Sequence, residues 1–275
     1  MDRERLTITL KKDIVRLLDK QIDGVTLRNR SHAIETYLEH ALTTNVTQAV
    51  ILAGGKGVKM RPLTYEVPKA LIPVHGKPIL EYLIDALAKH TIRSIVLAVG
   101  HLGDKIQNHF GDGSRYGVKI TYSKEIKPLG TAGALCFART YLANETVVVL
   151  HGDMLVEIDF SELIRFHHEQ HTIGTIALTT AADTSTFGAV NLRGSRIVDF
   201  IEKPEKGKTS SLLVNSGIYV FEPEIFDYIP QNKAVMLEDI FPKLATEAKL
   251  SGFPFEGRWF DVSTPKTYEQ AIKYY

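Results

Sequence analysis

From residue 48 onward, short apolar runs alternate with longer stretches whose apolar positions recur every three or four residues. The short runs predict strands at Ala49–Ala53, Ser94–Val99, Lys119–Tyr122, Thr146–Leu150, Gly174–Thr179 and Val214–Phe221. The longer stretches predict helices at Pro78–His90, Thr131–Tyr141, Asp159–His171, Leu237–Glu247 and Pro265–Tyr274. Strands separated by helices need crossover connections, which makes the sheet mostly parallel. Ala189–Leu192 and Arg196–Ile201 stand too close together for a crossover, so an antiparallel excursion is expected there. The fold class is α/β, a mixed sheet flanked by helices.

Residues 1–45 follow another pattern. Arg5–Leu10 alternates polar and apolar residues, the period of a half-buried strand. Ile14, Leu17, Leu18 and Ile22 then mark one face of a helix, which Asp23-Gly24 ends. Ile34, Leu38 and Leu42 mark a second helix, with Ser31 as its expected N-cap. Residues 43–47 read as a linker. Two domains are therefore expected, residues 1–45 and residues 46–275.

Composition narrows the class. The 275 residues include 33 Lys or Arg against 32 Asp or Glu, a net charge of +1. No global field favours nucleic acid or an anionic membrane. No run approaches the roughly 18 apolar residues of a membrane span, and no apolar signal core follows Met1–Arg5. The single cysteine, Cys136, sits in an apolar run and suits a buried structural thiol. A reducing cytoplasm is the expected setting.

The chemistry begins where the first strand of the larger domain ends. Val50–Ala53 runs into Gly54-Gly55-Lys56-Gly57, with Lys59, Arg61 and Lys69 close behind. Glycines let backbone N–H groups approach oxygen atoms, and the cations suit a polyanionic nucleotide. No Gly-Lys-Ser/Thr triplet follows, which excludes a Walker loop. Met60 stands where a dinucleotide fingerprint needs its third glycine.

More motifs follow in order: Pro68-Lys69-Ala70-Leu71-Ile72-Pro73, Leu129-Gly130-Thr131-Ala132-Gly133, Gly152-Asp153, Glu202-Lys203-Pro204, Asn215-Ser216-Gly217 and Trp259-Phe260-Asp261-Val262. Together they resemble the sugar-1-phosphate nucleotidyltransferases over residues 48–275. The segment Pro128–Gly133 looks most like that of the guanylyltransferases acting on mannose 1-phosphate. The resemblance implies a Rossmann-like mixed sheet and a reaction of a nucleoside triphosphate with a sugar 1-phosphate. With the last predicted helix reaching Tyr274, an appended acyltransferase domain of the kind some relatives carry is not expected in these 275 residues.

The resemblance carries roles onto particular residues. Asp153 and Asp261 would hold Mg²⁺. Lys69 would meet phosphate near the α-position, and Lys59 the leaving group. Leu52, Ala53, Gly54, Gly55, Gly57, Glu125, Gly130 and Thr131 would frame the nucleotide. Gly188, Glu202, Lys203 and Asn215 would bind the sugar phosphate. His101 and His151 are expected to be structural. Three positions depart from the family pattern: Val58 and Lys59 replace a Thr or Ser and an Arg, and Ser263 replaces a common glycine beside Asp261. Lysine keeps the charge but loses the guanidinium fork. The competing reading is a transcription regulator whose transferase-like domain senses nucleotide or sugar phosphate.

Residues 5–42 resemble the ribbon-helix-helix DNA-binding regulators. One strand and two helices bury too little surface alone, so a homodimer or higher even oligomer is expected through this module. In that family pattern Arg5, Thr7 and Thr9 would face double-stranded DNA. Residues 1–45 hold eight Lys or Arg and seven Asp or Glu, a balance of +1, which is little for phosphate neutralisation. DNA binding and dimerisation alone both stay open.

Overall fold

The computed structural model describes residues 7–25, 27–43, 46–205, 207–231 and 233–275, with residues 39–43 described by backbone alone. The chain divides into two units, Met1–Asn45 and Val46–Tyr275.

The first unit carries helices α1 (Lys12–Gln21) and α2 (Arg30–Thr43). Between them the Asp23 carboxylate accepts from the N–H groups of Val25 and Leu27, and Gly24 takes a left-handed φ of 77°. The Arg30 guanidinium grips Asp19 through two hydrogen bonds of 2.6 and 2.7 Å. Asn29 caps α2 by accepting from the His32 N–H at 2.9 Å. This corrects the expectation for Ser31, which lies inside the first turn. Leu18 and Ala33 are buried, while Ile14, Leu17 and Leu38 are exposed; the Leu42 side chain lies outside those described. Of the strand expected at Arg5–Leu10, no part forms among the described residues. Thr7–Leu10 has no regular structure, and Arg5 and Leu6 lie outside the described residues. A single strand finds no hydrogen-bonding edge in its own unit.

The second unit opens with β1 (Gln48–Ala53), the small pair β2 (Pro73–Val74) and β3 (Lys77–Pro78), and α3 (Ile79–Lys89). Next come β4 (Ser94–Val99), α4 (Gly103–Phe110), β5 (Lys119–Lys124) and α5 (Gly130–Ala138). Then follow β6 (Val147–His151), β7 (Met154–Val156), α6 (Phe160–Gln170), β8 (Gly174–Thr180), β9 (Gly188–Arg193), β10 (Arg196–Glu202) and β11 (Leu213–Phe221). The unit closes with α7 (Leu237–Thr246), β12 (Leu250–Pro254), β13 (Trp259–Asp261) and α8 (Pro265–Tyr274).

Nine strands form one sheet in the order β5-β4-β1-β6-β11-β8-β12-β10-β9. β5, β4, β1 and β6 run parallel, as crossovers through helices require. β11 runs antiparallel to both β6 and β8, and β9 pairs antiparallel with β10. Alternation along β1 covers both faces. Ala49, Ile51 and Ala53 pack with α3, α4 and α6, while Val50 packs with α5 and α7. A third, smaller cluster joins Met60, Ile72, Val74, Ile79, Leu155 and Val262. The helix expected over Thr131–Tyr141 ends at Ala138, and residues 139–141 tighten into a 3₁₀ turn.

Candidate active site

β1 and β6 lie side by side in parallel, with Leu52 opposite His151. Their carboxyl ends therefore open at one place, where an α/β sheet presents ligand-binding loops. The Gly152 N–H donates to the Leu52 carbonyl at 2.9 Å and ties the two ends together. A cavity of about 520 Å³ opens there. Its wall includes Leu52–Lys56, Lys69, His101, Glu125–Thr131, His151–Asp153 and Met236. Gly54 is required by close approach. A Cβ there would lie 2.9 Å from Glu125 Oε1 and 3.3 Å from the Gly100 backbone nitrogen.

Lys69 rises from a 3₁₀ turn, Lys69–Leu71, and its ammonium is in contact with the Asp153 carboxylate. Asp261 arrives from a different strand. β13 pairs with β7, which sets Asp261 opposite Met154, and the Val262 N–H donates to the Asp153 carbonyl at 2.9 Å. The Ser263 hydroxyl donates to the Asp261 carboxylate. Burial alone would raise Asp153, yet the Lys69 ammonium beside it holds it below the ordinary carboxylate value. Burial raises Asp261, and the charge of Asp153 raises it further. Burial opposes the Lys69 charge, but Asp153 and Asp261 outweigh it and raise the amine. The resting site holds the Lys69 ammonium against Asp153, with the Asp261 charge near enough to act on both.

Such a pair fits a hard divalent cation bound through oxygen. Among the described residues no group of three His, Cys, Asp or Glu side chains gathers to hold a metal. Mg²⁺ would be held by Asp153 and Asp261, with waters and phosphate oxygens as its remaining ligands.

The expected sugar-phosphate residues form their own group on the antiparallel side of the sheet. Gly188 on β9 pairs with Glu202 on β10, and a Cβ on Gly188 would meet the Phe200 ring at 2.3 Å. Lys203 takes a left-handed φ of 46° and donates to Glu202 at 2.6 Å. A lysine in that backbone region is strained, a state that recurs at binding sites. The hydrogen bond to Glu202 comes first among the causes that raise Lys203, with Glu238 adding its charge. Asn215 donates to the Tyr219 hydroxyl at 2.9 Å and accepts from the Gly217 N–H at 2.9 Å.

Most of the expected nucleotide residues share the cavity: Leu52, Ala53, Gly54, Gly55, Glu125, Gly130 and Thr131 all line it, with Lys69 and Asp153. Gly57 and Lys59 do not. Gly57 turns the chain away at φ 59°, and Lys59 sits on the exposed turn Val58–Met60. His101 and His151 also line the cavity. Thr7 and Thr9 are exposed. Sequence reasoning missed Glu238. It opens α7, and its Oε2 lies 3.4 Å from the Thr131 hydroxyl, which bridges the nucleotide cavity and the Lys203 group.

A family model described as nucleotidyl transferase matches residues 48–275. The chain belongs to the nucleotidyl transferase family. Curated family relatives include a UTP–glucose-1-phosphate uridylyltransferase of Synechocystis, 37% identical over 82% of this chain and 62% of its own length. A mannose-1-phosphate guanylyltransferase of Mycobacterium tuberculosis is 35% identical over 82% of this chain and 64% of its own. The chain thus spans about 62% of the first of these relatives and 64% of the second. Among solved structures, HddC from Yersinia pseudotuberculosis complexed with GMP-PN superposes with a TM-score of 0.71 at 25% identity, covering 82% of this chain and 98% of that one. A Bacillus anthracis protein assigned provisionally as a glucose-1-phosphate thymidylyltransferase superposes with a TM-score of 0.76 at 27% identity, covering 82% and 94%. The mixed α/β architecture is the one these family structures share. Among the described residues no helix is long and apolar enough to cross a membrane.

Proposed function

We propose that the larger unit transfers a nucleoside monophosphate from a nucleoside triphosphate to a sugar 1-phosphate, with GTP and mannose 1-phosphate as the pair. One observation carries the transfer reading: the Lys69 ammonium meets the Asp153 carboxylate in the cavity that the glycine loop lines, within reach of the Asp261 charge. The sugar-phosphate oxygen would attack the α-phosphorus in line, and the bond to the β-phosphate oxygen would break. Positioning and charge stabilisation supply most of the catalysis in such a step. Lys69 neutralises phosphate charge, and the glycine loop directs N–H groups at oxygens. Mg²⁺, when bound, would add Lewis-acid stabilisation of the phosphate oxygens. Lys203 and Glu202 would orient the incoming sugar phosphate.

Glu125 supports the choice of guanine. Its Oε2 accepts from the Leu129 N–H at 2.8 Å. No donor among the described residues reaches its Oε1, and burial raises its carboxyl, with the Leu129 bond opposing. A carboxylate accepts only. Guanine offers two adjacent donors, N1–H and N2–H, on one edge. Uracil and thymine offer one donor flanked by two acceptors. A Glu125→Gln variant is expected to lower the preference for GTP over UTP by about 10- to 100-fold, the worth of one paired base contact. The ratio of kcat/KM values for the two triphosphates measures it. An unchanged ratio defeats the guanine assignment and leaves the transfer reading intact.

The smaller unit is read as a pairing module. Ile14, Leu17 and Leu38 stay exposed in the single chain, which a second copy would cover. Sedimentation of the intact protein is expected to show a dimer that a Leu17→Lys change weakens. A gel-shift screen tests DNA: a salt-sensitive shift at micromolar protein supports a role for Arg5, Thr7 and Thr9, and no shift limits the module to pairing.

A further inference from the structure

The glycine loop presents Lys56 and Lys59, and the fold treats them differently. Lys56 stands between Gly55 and Gly57 and lines the cavity. Lys59 lies beyond Gly57, outside the cavity wall. Three anchors enforce the division. The Gly57 carbonyl accepts from the Thr64 hydroxyl at 2.7 Å and from the Met60 N–H at 2.9 Å. Met60, the residue next to Lys59, is buried in the cluster with Ile72, Val74 and Leu155. These contacts fix the backbone of the turn that carries Lys59.

Lys69 cannot cover the outer phosphates either. It is engaged with Asp153 at the centre of the site, whereas a triphosphate carries most of its charge beyond the α-phosphorus. Lys56 is the lysine of the glycine loop that lines the cavity, next to Gly55.

We propose that Lys56 holds the outer phosphates of the nucleoside triphosphate, the role that the loop pattern alone assigns to Lys59. The inference rests on the nucleotidyl-transfer reading above. In the step itself, the sugar-phosphate oxygen bonds to the α-phosphorus. The bond from the α-phosphorus to the bridging oxygen breaks, and its electron pair leaves with pyrophosphate. Lys56 meets that growing charge without giving up a proton.

The test is calorimetric binding of GTP and of GMP to the intact protein. Lys56→Ala is expected to weaken GTP by about tenfold or more, the usual loss for one charged hydrogen bond. GMP, which has no outer phosphates, is expected to bind as to wild type. Lys56→Arg is expected to restore most of the GTP affinity. Wild-type GTP affinity in Lys56→Ala overturns the proposal. Equal loss of GMP overturns it too, because that reports general damage to the loop. So does a larger loss of GTP affinity in Lys59→Ala than in Lys56→Ala. These three outcomes leave the transfer reading standing. A wild-type protein that binds none of GTP, UTP and dTTP defeats that reading, and this proposal with it.

Discussion

Replacing Asp153 by asparagine is expected to cut pyrophosphate release by about a thousandfold or more, in line with losing a principal electrostatic group from a transition state. The side chain keeps its shape, so the change isolates charge. Two effects combine. The site loses half of its carboxylate pair for Mg²⁺, since Asp261 alone remains. Lys69, which touches Asp153, also loses its nearest counter-charge. Pyrophosphate release measured with Mg²⁺, GTP and mannose 1-phosphate reads the outcome, with a circular-dichroism melt to confirm folding. Turnover within about tenfold of wild type would remove Asp153 from the reaction. Asp261→Asn should follow the same direction.

The second large effect concerns stability as well as binding. Gly130→Ala is expected to cost about 3 kcal/mol or more, from left-handed strain of about 1–2 kcal/mol and overpacking of about 1–3 kcal/mol. Gly130 has a φ of 74°. A Cβ there would lie 2.4 Å from the Val235 carbonyl oxygen and 3.2 Å from the Met236 sulfur. That carbonyl is already used, because it accepts from the N–H groups of Ala132 and Gly133 at 3.0 and 3.2 Å. The Val235 N–H in turn donates to the Leu129 carbonyl at 2.8 Å. The added methyl would push the start of α5 away from the segment before α7 and open the cavity wall. Thermal unfolding should show a fall of about 6–12 °C, and nucleotide affinity should drop with it. A midpoint within about 2 °C of wild type would mean that the wall yields without cost.

The sheet was legible because its strands are buried runs. Val147–Leu150 and Ile95–Val99 have no polar residue to confuse the period. α4 was not legible. Over Gly103–Phe110 it buries only Ile106, Phe110 and its opening glycine, too few anchors to set a helical rhythm. β12 was missed as well. Ser251, Gly252 and Pro254 are poor strand formers, and the segment is a strand because β8 lies beside it in parallel. The strand expected near residue 5 takes no regular structure over its described part, Thr7–Leu10. At the site, motif order was enough to bring Asp153, Asp261 and Lys69 together. It could not tell Lys56 from Lys59, because that difference depends on which side of Gly57 each lysine falls and on where Met60 is buried. Glu238 was hidden for a different reason. An acidic residue in a first helical turn is ordinarily there for the helix itself.

The contact between Lys69 and Asp153 has a consequence for selectivity. While the cavity is empty, the two charges satisfy each other, so neither is on offer to passing ions. A free cation must compete with the ammonium for Asp153, and a free phosphate must compete with the carboxylate for Lys69. A ligand that brings both charges at once can exchange partners with the pair in a single arrival. On the proposed reading, the resting site would favour a nucleotide already carrying its metal over either component alone.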